Sequence, residues 1–197
     1  MGTRHLICVF YKGEYKVAQY GQWDGYPAGQ GATILDFLKN KVNWQDFRSQ
    51  LDKLSWITKE KLDELWRPYD GCNSWHSAEL FKKNFPEFSR DTGADILCMI
   101  QDDELTTNKL ENSLIFAADG LFCEWCYVID IDAGCLEVYQ GFNKTPLTPD
   151  DRFYFLREYE DDDGYHGVKL KKKYPLNNLP SNEDFIKDCD PQEDDEE

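Results

Sequence analysis

The spacing of apolar positions along this chain changes twice. Over 3–11 and 14–23 the runs are β-branched and aromatic, and Lys12-Gly13 between them is a short turn signal, which predicts an N-terminal hairpin. Ile34, Leu35, Phe37, Leu38 and Val42 then share one face at helical spacing, behind a capping pattern at Thr33 and Asp36. Further helices are expected from Asn43, from near Thr58 up to a stop at Pro68, and over 78–85 and 91–101, parted by Pro86. From Ser113 the strand period returns, over 113–118, 121–132, 135–142, 151–158 and 168–173. Strands, then helices, then strands predict an α+β protein with a mostly antiparallel sheet and a helical layer, since a doubly wound parallel sheet needs alternating βαβα order.

With 197 residues, 41% of them apolar, the chain is expected to form a single globular domain over 1–181. Residues 182–197 are polar and acidic enough to be expected as a disordered tail. From Glu183 to Glu197 nine acids and one lysine give −8, half of the formal charge of −16. That surface argues against nucleic acid or anionic membrane as a partner, and no run reaches the roughly 20 apolar residues of a membrane-spanning helix. Seven cysteines, an odd number set mostly in apolar runs, fit a reducing compartment, so the cytoplasm, or the nucleus, is the expected location.

The chemistry-bearing stretch is 19–31, where Trp23, Tyr26 and the polar Gln22, Asp24 and Gln30 are interleaved with four glycines. Glycines allow close backbone approach while aromatics form walls, so Gln22, Trp23, Asp24, Tyr26 and Gln30, with Arg4 brought alongside from the N-terminus, are candidate ligand-binding residues. The hairpin is expected to bring Thr3, Arg4 and His5 alongside, with Arg4 paired to Asp24 as a lock.

Met1-Gly2-Thr3-Arg4, followed after a strand by Trp23-Asp24-Gly25-Tyr26-Pro27 and Gly29, resembles a broad family of uncharacterised proteins of phages, bacteria and fungi. The resemblance is nearest to the fungal members, which share the longer run Lys16-Val17-Ala18-Gln19-Tyr20-Gly21-Gln22, and it covers mainly the first forty residues. It implies no mechanism.

Other patterns carry less. Cys123-x-x-Cys126 has no second ligand pair and lies in a strand run, where residues three apart face opposite ways, so no metal site is expected. The acids of 158–163 do not follow a calcium-loop order, and Lys169, Lys171, Lys172 and Lys173 read as guards on an edge strand.

The leading expectation is therefore a binding or interaction protein, with a pocket for a small molecule or peptide formed by the N-terminus and the 22–31 loop, and no cofactor. The alternative is an enzyme resembling the N-terminal-nucleophile hydrolases, of αββα order, with Thr3 as nucleophile and His5 as base in amide hydrolysis or a related acyl transfer. Against it, removal of Met1 exposes Gly2, whereas activation of threonine in that chemistry uses its own α-amino group. An acidic adaptor working through its tail is a third expectation, and six tryptophans with eleven tyrosines supply enough aromatic surface for a homodimer.

Overall fold

The computed structural model describes residues 2–69, 74–162 and 164–190. Strands β1 (His5–Tyr11) and β2 (Glu14–Gly21) form the N-terminal hairpin. Lys12 and Gly13 both take positive φ, 56° and 77°, the tight turn whose twist suits a two-residue hairpin loop. A π-helical turn, Pro27–Gly31, leads into α1 (Ala32–Asp36), followed by α2 (Trp44–Leu51), the two-residue strand β3 (Ser55–Trp56), α3 (Lys59–Trp66), α4 (Ser74–Asn84) and α5 (Asp95–Gln101). The chain continues through β4 (Lys109–Leu110), β5 (Trp125–Asp130), β6 (Cys135–Gln140) and β7 (Lys169–Pro175) to α6 (Asn182–Cys189). Asn43 caps α2 by accepting from the amides of Gln45 and Asp46, and Thr58 caps α3 by accepting from Lys61, so both helices start where the sequence signals placed them.

The fold is α+β around a five-stranded sheet of order β2-β1-β5-β6-β7, with β3 and β4 as a separate parallel pair. Each neighbouring pair in the large sheet is antiparallel except β1 with β5, which run parallel. Strand alternation sends Ile7, Val9, Tyr127, Ile129, Leu136 and Val138 to one face, where they pack with Ile34, Phe37, Phe47, Leu97 and Phe185 of the helical layer. Leu6, Cys8, Cys126, Val128 and Tyr139 face the other way, against Ala117, Phe153 and Leu156.

That second layer departs from expectation. Residues 113–118 and 151–158 read as strands but form 3-10 turns, Leu114–Ala118 and Tyr154–Tyr159. The Phe116 amide donates to the Ser113 carbonyl and the Leu156 amide to the Phe153 carbonyl, both at 2.9 Å, so three-residue backbone bonds close turns where extended chain was expected. An αββα order needs two stacked sheets; here the large sheet lies between helices and short turns.

The second correction concerns the C-terminus. Residues 182–189 were expected to be unfolded, yet α6 forms on a Ser181 cap and buries Phe185 and Cys189 completely against the helical face of the sheet. The acids of 183–190 sit on the solvent side of an amphipathic helix. Residues 191–197 of the expected tail lie outside the described residues. The lysines of β7 do lie on an edge strand.

Candidate ligand-binding groove

The N-terminus and the 22–31 loop are held together through backbone. Gly25 donates to the Thr3 carbonyl at 3.0 Å, Gln30 donates to the Asp24 carbonyl at 2.8 Å, and the Tyr127 hydroxyl donates to the Gly25 carbonyl at 2.8 Å. Asp24 sits at φ 56°, and a Cβ at Gly29 would overlap the Asp24 carbonyl, so the glycines of this motif serve chain packing.

His5 is sealed within this junction. It is 1% exposed, its ring packs against Gly21 and Gly25, and neither ring nitrogen has a hydrogen-bond partner. Burial lowers its pKa to about 4, although the nearby Thr3 carbonyl and Asp24 carboxylate pull the other way. A ring without solvent or a bonded partner has no route for taking a proton from a substrate.

The expected pairing of Arg4 with Asp24 does not form. The Arg4 guanidinium lies over the Phe122 ring, 4.2 Å from its centroid, and its amide donates to Glu124 at 3.1 Å. Asp24 instead accepts from the Tyr26 hydroxyl at 3.3 Å. Gln22 accepts from the Tyr20 hydroxyl at 2.8 Å, and Gln30 turns inward to accept from the Ala94 amide at 2.7 Å. These polar side chains are used inside the loop and its anchorage, not presented together to a ligand.

Trp23 points elsewhere. It is 47% exposed, and its indole N–H donates to Asp91 at 2.8 Å, whose other oxygen binds Lys82 at 2.6 Å. Lys82, then the Trp23 indole, hold the Asp91 carboxyl below the usual range in spite of some burial. Beside this bond lies an open groove of about 560 Å³ with Trp23, Trp66, Phe81, Phe88 and Arg90 among its walls. Trp66 and Phe81 stack with centroids 3.8 Å apart and planes 12° apart. Sequence reasoning found Trp23 and missed the rest: Trp66 and Phe81 fall within expected helices, Arg90 lies between two of them, and Asp91 reads as the start of the helix over 91–101, whereas α5 begins only at Asp95.

Two other clusters are already satisfied. Asp130, Cys135 and Glu137 gather potential ligand atoms within 4.8 Å of one another. However, Arg152 pairs with both carboxylates, Lys173 reaches Glu137 at 3.0 Å and the Tyr139 hydroxyl donates to it at 2.7 Å. Burial pushes the Glu137 carboxyl up, and the bonds from Tyr139, Lys173 and Arg152 outweigh it and hold it below the usual range. This is an ion-pair centre with its charges spent. Cys123 and Cys126 are fully buried, with thiols pushed well up by burial, as expected of packing residues.

No helix among the described residues is long and apolar enough to cross a membrane. Comparison with protein-family models, with curated proteins and with solved structures found no match to this chain.

Proposed function

We propose that the protein is a binding protein whose recognition surface is the groove beside Trp23, taking a small molecule or the end of a peptide. The observation that carries this reading is the half-exposed Trp23, fixed on Asp91 and bordering a groove whose other walls include Trp66, Phe81 and Phe88. Such a groove has the apolar lining and the few placed polar groups that ligand sites share. The N-terminus contributes indirectly, by holding the 22–31 loop through Thr3 and His5. The hydrolase alternative has no observation in its favour, because His5 is sealed and Arg4 is turned to Phe122.

The reading places the protein in the cytoplasm or nucleus, supported by thiols at Cys8, Cys123 and Cys126 that pack as small hydrophobes. A homodimer is supported by half-exposed Phe142, Phe155 and Tyr159, and light scattering across a concentration series tests it.

The binding reading is tested by a fragment screen followed in two-dimensional NMR on the full chain. Hits are expected to shift the Trp23 and Trp66 indole signals and to lose affinity in Trp23→Ala. Hits that bind equally well without Trp23, or that cluster at another surface, overturn it.

A further inference from the structure

We infer that the groove selects a flat aromatic ring carrying an acidic group, a carboxylate or a phosphate, with Arg90 as the residue that holds the anion. The inference rests on the proposal that this groove is a binding site, and adds the class of ligand.

Shape supplies the ring. The half-buried Trp66 is backed by the buried Phe81 ring stacked on it, and Trp23, also lining the groove, is held at its N–H by Asp91, so the surface is preorganised for a planar group. Charge supplies the acid. Four ionic side chains line the groove: Lys82, Asp91, Arg90 and Glu79. Lys82 and Asp91 neutralise each other at 2.6 Å. Arg90 is exposed and makes no ion pair among the described residues, although the chain carries −16 and acids are plentiful.

Its backbone is nonetheless fixed: the Arg90 carbonyl accepts from the Gln22 amide at 2.9 Å, next to a buried Ser89. An anchored Arg with its planar fork uncommitted suits bidentate recognition of a carboxylate or phosphate. Glu79 is also without an ion pair among the described residues, but it is shared with the neighbouring cleft of His76 and Lys83, whereas Arg90 is shared with the cleft of Tyr20 and Glu111. The acid is assigned to Arg90 on its uncommitted guanidinium and not on the net charge of either neighbouring cleft, since Glu111 shares the one with Arg90 and Lys83 the other with Glu79.

The test measures dissociation constants of the full chain for 2-naphthylacetate, AMP, 2-naphthaleneethanol and 2-(2-naphthyl)ethylamine by NMR titration at low salt. The ring acids are expected to bind at least about fivefold more tightly than the alcohol, the modest gain of a partly exposed ion pair. Arg90→Gln should remove that preference and leave the alcohol unchanged, while Trp23→Ala weakens every probe. Binding of AMP without naphthylacetate assigns the acid as a phosphate, and the converse assigns a carboxylate. If the amine or alcohol binds as well as the acids, or Arg90→Gln keeps the preference, the ligand class is wrong although the groove still binds. If no probe moves the Trp23 and Trp66 signals saturably, the binding reading falls with it. Arg90 is exposed, so circular dichroism of Arg90→Gln is expected to match the parent.

Discussion

The indole N–H of Trp23 donates to the carboxylate of Asp91 across 68 positions of sequence, at 2.8 Å. Lys82 of α4 takes the other oxygen, so three separate segments meet at one carboxylate and set one wall of the groove. Asp91→Ala should free the Trp23 ring while altering stability by no more than about 1 kcal/mol, because the pair is partly exposed. Relaxation of the Trp23 indole amide reads the first effect and urea denaturation the second. An unchanged, rigid indole signal counts against the bond as the determinant of that wall.

His5 makes stability depend on pH in a direction set by its burial. Its pKa is about 4 in the folded chain against 6.5 when exposed. As pH falls below 6.5 the unfolded chain takes up a proton that the folded chain refuses until near pH 4. The contribution of neutral His5 is thus intact above 6.5 and is lost across that window, by about 3 kcal/mol in total. NMR titration of the His5 ring gives the midpoint directly, and a value above 6 contradicts the sealed junction.

Phe185→Ala is expected to destabilise the fold by about 3–5 kcal/mol, the usual cost of emptying a fully buried aromatic position. Chemical denaturation of the two chains decides it. A loss below about 1 kcal/mol would restore the view of residues 182–190 as a loose tail.

Among the described residues, Arg152→Met leaves Asp130 with only the Ala133 amide and removes one of the cations facing Glu137. Buried carboxylates stripped of a partner cost about 3–5 kcal/mol, and adding Asp130→Asn and Glu137→Gln to Arg152→Met should recover much of it. Urea midpoints of the single and combined variants read the coupling. If the single change is silent, the cluster is not an ion-pair centre.

Much of the fold was legible because it is written in local signals. Lys12-Gly13 determines the first turn, Asn43 and Thr58 start helices, and the lysines of 169–173 mark an edge. The runs at 113–118 and 151–158 misled because a short apolar run that covers a sheet face has the same composition as a strand within it. α6 was hidden by its charge: Phe185, Ile186 and Cys189 lie at helical spacing, but the surrounding acids dominate composition. At the site, the loop was recognisable as unusual, yet which way Gln22, Asp24 and Gln30 point depends on partners such as Tyr20 and Ala94 that only the tertiary fold supplies. Trp66, Phe81 and Arg90 carried no local mark at all.

The parallel pairing of β1 with β5 has a consequence for how the chain is made. His5 lies opposite Trp125 and Phe10 opposite Asp130, each 120 positions further on. At synthesis rates of about 5–20 residues per second, the inner edge of the first hairpin waits on the order of ten seconds for its neighbour. Until then its unpaired amides and carbonyls, flanked by Ile7, Cys8 and Val9, offer a template to any other extended chain. The nascent protein is thus most prone to mispairing before β5 emerges, and it is during this interval that a chaperone holding the first hairpin would improve the yield of folded chains.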